Sequence, residues 1–250
     1  MTRNRTRVLS GELLTILTMF FLYTGVSAGA VKPAAPADQV QAAAGSGEAK
    51  LPAVRLDGNY FSRDGRRFIP VGGNWVPAKA AMQWPTQWDP KAIEADFARM
   101  HELGFNTIRL DFVWAWIEPR PGDYNPEAFR ALDFLISLAH KYHIYLHPCL
   151  LIGGEVGEAY WDVPYRQGRH PHSDPDMLRI ETDHVAELAR RYGKETAILG
   201  WDLTDEPPFW IAPETTDAMA INWTRLLTWS IRRHDSLHPI VVGVSMQDVE

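Results

Sequence analysis

The chain has 250 residues, 46% hydrophobic and 22% charged, which is ample for a sizeable core and ordinary for a globular protein. Its formal net charge of -6, from 31 acidic and 25 basic residues, comes without a basic face and argues against nucleic acid as a partner. The single cysteine, Cys149, excludes an internal disulfide, and no Cys/His spacing suits zinc.

The N-terminus reads as a targeting segment, residues 1–30. Arg3, Arg5 and Arg7 form a positive region, 13–26 is an apolar run, and Ala28-Gly29-Ala30 supplies the small residues of a signal-peptidase site. Export with cleavage near Ala28 or Ala30 is expected. The alternative is an uncleaved membrane anchor, because the apolar run approaches the length of a bilayer span. Residues 31–52 are rich in Ala, Gly and Pro without a periodic apolar face and are expected to be a disordered linker.

The folded part, 53–250, opens with turn dipeptides at Asp57-Gly58 and Asp64-Gly65. They predict a small hairpin leading into a first buried strand over 69–73, which ends at Asn74 and Trp75. A helix follows. Asp89 is its N-cap and Pro90 its first residue, Ile93, Phe97, Met100 and Leu103 fall near one helical face, and Gly104 is its stop. In the second strand, 106–113, Ile108, Leu110 and Phe112 alternate with Arg109 and Asp111. The alternation turns one face to the helices and the cation and anion to the other side. A loop over 114–124 precedes a helix capped by Asn125 and opened by Pro126. The third strand is 144–151, and a long aromatic loop, 155–173, comes after it. Ser173 or Asp174, with Pro175, opens a third helix that Gly193 ends. The fourth strand, in the apolar run 197–203, delivers Thr204-Asp205-Glu206 before Pro207-Pro208 breaks regular structure. A helix over 216–233 and a fifth strand over 240–244 complete the chain.

Strands alternating with helices predict a parallel sheet with right-handed crossovers. A doubly wound sheet and a barrel both satisfy this. The first strand lacks the Gly-x-Gly-x-x-Gly turn of a dinucleotide fold. Polar and aromatic residues gather instead at several strand ends, at Asn74, Trp114, Glu118, the loop around Glu155 and Glu206. A site built from many strand tips is the habit of (β/α)8 barrels.

Four motifs in this order carry a family resemblance. They are the strand from Phe68 to Asn74, Leu103-Gly104-Phe105-Asn106-Thr107-Ile108-Arg109-Leu110, Trp114-Ala115-Trp116-Ile117-Glu118-Pro119 with Pro121-Gly122-Asp123-Tyr124, and Trp201-Asp202-Leu203-Thr204-Asp205-Glu206-Pro207. The chain from 54 to 244 thus resembles the clan A retaining glycoside hydrolases, similar to family 5 cellulases and mannanases with some features of β-galactosidases. The resemblance implies an α/β fold of the (β/α)8 TIM-barrel type, here about its first five strands. It implies hydrolysis of β-linked glycans, with Glu206 as general acid/base, Arg109 as a supporting residue, an oligo- or polysaccharide as partner and no cofactor or metal.

Two departures stand out. Asp205 occupies the place of the family's asparagine, so it accepts but cannot donate a hydrogen bond. A second anion beside Glu206 is expected to raise the pKa of one of the two. The family's nucleophile follows strand seven, and the sequence reaches only a fifth strand. About 200 residues follow the linker, against about 250 in a typical barrel. A fragment without its nucleophile is expected, and a non-catalytic carbohydrate-binding or degenerate barrel is the alternative.

Further candidates are open. Asn74, Trp75, Trp114, Trp116, Trp161 and Trp210 lie at or after strand ends and are candidate sugar contacts or packing residues. Glu118 reads more as a structural carboxylate than a ligand contact, and His147 more as a core histidine than a site residue. His170, His172 and Asp174 read as an ordinary loop rather than a metal site.

Overall fold

The computed structural model describes residues 50–152, 162–205 and 214–243. The chain enters through a three-stranded antiparallel sheet of β1 (Val54–Asp57), β2 (Tyr60–Arg63) and β3 (Arg66–Phe68). Both expected turns form, and the second uses Asp64 and Gly65 at φ 52° and 70°. The expected hairpin is therefore a meander of three strands, because each turn dipeptide reverses the chain.

The main sheet holds β4 (Gly72–Trp75), β5 (Thr107–Val113), β6 (Tyr145–Ile152), β7 (Trp201–Asp202) and β8 (Ile240–Val241). All neighbours are parallel and the spatial order is the sequence order, β4-β5-β6-β7-β8. A doubly wound sheet reverses its strand order at a switch point. This sheet never reverses, as in the progression around a barrel.

The crossover helices are α1 (Pro90–Glu102), α3 (Pro126–Tyr142), α4 (Pro175–Tyr192) and α5 (Asp217–Arg232). Their starts follow from local chemistry. Asp89, Asn125, Asp174 and Thr216 each accept a backbone N–H of the first turn, and proline opens the first three. Ile93 and Phe97 of α1, Leu132 and Leu135 of α3, Val185 and Leu188 of α4, and Leu227 and Ile231 of α5 are almost fully buried. They share one core with Ile108, Leu110 and Phe112 of β5 and Leu146 of β6. Each such side chain contributes about 1.5–3 kcal/mol of transfer free energy.

Three local expectations change. The first strand begins at Gly72 rather than 69, and Ile69 and Val71 are 65% and 49% exposed. The Asn106 side chain takes the backbone there, accepting from Val71 N at 2.8 Å and donating to Ile69 O at 2.9 Å. Pro70 has no N–H to offer a ladder. The loop after β5 starts with one helical turn, α2 (Trp114–Ile117). Finally, β7 is short, yet the run 197–203 is tied on both sides. Leu199 N donates to Leu146 O, and Trp201 N and Leu203 N donate to Pro239 O and Val241 O.

Candidate active site

The register sorts side chains by face. Asn74, Arg109 and His147 pair across β4, β5 and β6, so they share one face of the sheet. Asp111, Cys149 and Asp202 form the next row on that face. The opposite face carries Trp75, Leu110 and Pro148 in one row. Helix-packed residues such as Ile108 and Phe112 lie on that opposite face, so the row with Arg109 faces the inside of the curved sheet.

Arg109 is the hub. Its Nε donates to Asp202 Oδ2 at 2.7 Å, its Nη2 meets Asp205 Oδ1 at 2.9 Å, and its Nη1 meets Asp111 Oδ1 at 3.3 Å. Nη2 also lies 3.2 Å from Cys149 Sγ. The guanidinium thereby bridges β5 to the tip of β7. Three carboxylates share one cation, which is more negative charge than the pocket readily holds. Burial raises the Asp111 carboxyl to about 6; Arg109 opposes that shift while Asp205 and Asp202 add to it. Burial likewise raises Asp202, against its bond to Arg109. Burial disfavours the charge on Arg109, but Asp202 and Asp205 hold it above the ordinary arginine range. Burial also pushes the Cys149 thiol far up, so it is neutral and the carboxylates carry that effect. Burial and the nearby Arg109 charge lower His147 to about 4, leaving a neutral imidazole.

The structure brings Arg109, Asp205 and Asn74 to the same side of the sheet. Glu206, Trp161 and Trp210 lie outside the described residues. Asp205 is not a lone anion beside Glu206, because it is paired with Arg109. Three tryptophans are corrected. Trp75 sits on the helix face, 5.3 Å edge-on from Phe97, and its Nε1 donates to Asp96. Trp114 is 1% exposed, so no sugar can stack on it. Trp116 packs edge-on against Trp84 and Phe112, which are core side chains.

The segment from Trp114 to Gly122 folds around Glu118. This buried carboxylate accepts from Trp114 Nε1 at 3.0 Å and Gly122 N at 2.6 Å, and pairs with His184 Nδ1 of α4 at 3.0 Å. Its residue spacing is a structural device that closes the loop after β5 and locks it to α4. Glu118 therefore holds the scaffold, as its sequence context suggested. His147 is corrected in the other direction. It is half-buried in the Arg109 row rather than set in the core. Asp202 was not singled out, although it lies two strands from Arg109 and makes its shortest contact. The signal was present: Asp202 is the polar residue between Trp201 and Leu203 in a run that otherwise reads as fully buried.

A family model described as β-galactosidase, glycoside hydrolase 42, matches residues 83–153. That range covers α1, β5, the Glu118 loop and β6. Mannan endo-1,4-β-mannosidase 4 of Oryza sativa subsp. japonica is 26% identical over 220 residues, covering 76% of this chain and 45% of that protein. The chain spans about half the length of the curated relatives it matches. An exo-β-1,4-mannosidase from Opitutaceae bacterium strain TAV5 superposes with a TM-score of 0.71 at 29% identity, over 78% of this chain and 35% of that one. The endo-1,4-β-mannanase of Rhizomucor miehei shares the fold, with a TM-score of 0.62 at 20% identity over 77% of this chain and 60% of that one. With an unreversed parallel sheet and a charged row on its inner face, the chain has the fold of a partial (β/α)8 barrel and is similar to glycoside hydrolases of the mannanase type.

Proposed function

We propose that this chain carries the acid/base half of a retaining β-mannoside hydrolase site, with Glu206 as the proton donor. One observation carries the reading. Arg109 reaches from β5 to the tip of β7 and fixes Asp205, the residue immediately before Glu206. Strand tips are where barrels keep their chemistry. The names of the similar proteins direct the substrate to β-1,4-linked mannosides.

Retaining hydrolysis needs two carboxyl groups about 5–5.5 Å apart. Glu206 protonates the glycosidic oxygen as the bond to the leaving sugar breaks. The second carboxylate attacks the anomeric carbon and forms a glycosyl-enzyme. Glu206, now ionised, takes a proton from the water that hydrolyses it. The second carboxylate is not assigned to a residue of this sequence, and Glu118 is unsuited because its oxygens are buried and engaged. Asp205 stays one-third open, 32% exposed, and accepts a sugar hydroxyl on the oxygen that Arg109 leaves free. The N-terminal pattern supports an exported enzyme.

The test is turnover of a β-1,4-mannooligosaccharide by the full-length protein and its Glu206→Gln variant. The reading expects a loss of about 100-fold or more, the size of a general-acid contribution. Equal turnover contradicts it. Asp205 in place of asparagine favours a second reading, a barrel that binds glycans without cleaving them. Tight oligosaccharide binding by a wild-type protein that produces no hydrolysis would establish that reading instead.

A further inference from the structure

Asp202 has no role in the chemistry above, yet it is the residue to which Arg109 is tied most closely. Its backbone lies in β7 between Cys149 of β6 and Val241 of β8, so the carboxylate is carried by a strand paired on both sides. The residue is 4% exposed, and its buried Oδ1 has no hydrogen-bond partner. Burial raises its carboxyl, against the bond to Arg109 and the Thr204 amide. A buried carboxylate with one oxygen unsatisfied is a poor device for stability, because desolvation offsets much of what its ion pair contributes.

The geometry of Arg109 gives the side chain a different use. Arg109 also lies in a strand paired on both sides, opposite Asn74 of β4 and His147 of β6. Nε and Nη2 lie along one edge of its planar guanidinium, and that plane is rigid. Asp202 Oδ2 takes Nε at 2.7 Å, and Asp205 Oδ1 takes Nη2 at 2.9 Å. A carboxylate that fixes Nε therefore also fixes the direction of Nη2. The other contacts are longer: Asp111 Oδ1 at 3.3 Å from Nη1 and Cys149 Sγ at 3.2 Å from Nη2. Asp205 comes after the end of β7, and its side chain is 32% exposed against 5% for Asp202. The fixed carboxylate thus sets the position of the open one through the arginine.

We propose that Asp202 is a positioning residue for the sugar-binding carboxylate: it orients the Arg109 guanidinium so that Nη2 holds Asp205 Oδ1 and leaves the other Asp205 oxygen for a mannoside hydroxyl. The inference rests on the reading that Asp205 accepts a sugar hydroxyl.

The test is a double-mutant cycle on affinity, which separates positioning from general loss of structure. The full-length protein is titrated by calorimetry with a sulfur-linked β-1,4-mannobiose, which resists hydrolysis. Wild type, Asp202→Ala, Asp205→Ala and the double variant are compared, with thermal midpoints recorded alongside. Asp202→Asn, which keeps an acceptor for Arg109 Nε, is the rescue. The positioning role predicts that Asp202→Ala lowers affinity by about 5- to 10-fold when Asp205 is present and by less than about twofold when it is alanine, with Asp202→Asn restoring most of the loss. A merely structural Asp202 lowers affinity by the same factor in both backgrounds; that result, or no loss in either, overturns the proposal. Asp205→Ala is the reference. If it binds the mannobiose as tightly as wild type, the reading of Asp205 fails and the positioning role fails with it. If Asp205→Ala loses affinity and Asp202→Ala does not, the positioning role alone fails. Should Asp202→Ala not fold, Asp202→Ser, too short to reach Arg109 Nε, takes its place in the same cycle and is judged by the same outcomes.

Discussion

Replacing Asp111 by Asn tests the electrostatics of the inner face without touching the residues assigned to the reaction. In the folded protein the Asp111 carboxyl is raised from an ordinary 3.8 to about 6, chiefly by burial. A carboxyl raised by folding stabilises the fold fully below its unfolded value, and that contribution is lost as pH rises through about 6. The gap between 3.8 and about 6, at about 1.4 kcal/mol per pH unit, makes the ionised group cost about 3 kcal/mol at neutral pH. Asparagine has nearly the same shape and keeps an acceptor for Arg109 Nη1, but carries no charge. The stability difference between variant and wild type should therefore move in favour of the variant by about 2 kcal/mol between pH 4 and pH 7. Losing the charged partner at 3.3 Å offsets part of the absolute gain, so the pH trend is the safer readout. Urea midpoints at the two pH values, with the slopes checked for constancy, measure it. A difference that does not change with pH, or that grows less favourable to the variant toward pH 7, refutes the account of three carboxylates around one cation.

Other changes probe separate parts of the structure. Glu118→Ala leaves the buried Trp114 Nε1 and His184 Nδ1 and the part-buried Gly122 N without their acceptor and should cost about 3–5 kcal/mol in urea unfolding, with loss of the α4 attachment; a cost below about 1 kcal/mol contradicts the structural reading of the Trp114–Gly122 segment. Gly72→Ala would drive a Cβ into the Thr107 carbonyl, so β4 should detach from β5 and the thermal midpoint should fall by several degrees. Trp114→Phe should lower stability while leaving affinity for mannooligosaccharides unchanged in titration calorimetry, because Trp114 is core; a large loss of affinity at full stability would restore its role as a sugar platform. Among the described residues the main sheet ends in β4 and β8, each paired on one side. The 250-residue chain alone should therefore associate through those edges, and a strictly monomeric profile in light scattering contradicts this.

Much of the fold was legible because its signals are local. The prolines and capping residues at Asp89, Asn125, Asp174 and Thr216 mark helix starts, and each cap forms through the oxygen that its residue type supplies. The alternation in β5 separates Arg109 and Asp111 from Ile108, Leu110 and Phe112, and the sheet keeps that separation. Choosing a barrel over a doubly wound sheet needed the strand order, which is a tertiary property. The tryptophans were harder. Trp75, Trp114 and Trp116 all follow strand ends, but facing is decided by register and by partners distant in sequence, such as Asp96 and His184. The same holds for Glu118, whose role depends on a histidine 66 positions away. Asp202 was hidden by its apolar neighbours, and its significance appears only when Arg109 arrives from β5. The hydrogen bond between His172 and Thr215 had no sequence signal, since a threonine before a helix cap looks like any other.

The central claim is that Glu206 is the acid/base of a retaining site. The most direct measurement uses Glu206→Ala in the full-length protein with an activated aryl β-mannoside and added azide. Removing the base should slow breakdown of the glycosyl-enzyme, and azide, which needs no base, should take over as nucleophile. The account predicts that azide accelerates turnover of Glu206→Ala, leaves the wild type unaffected and yields a mannosyl azide of β configuration. No acceleration, or an α-configured product, would contradict it.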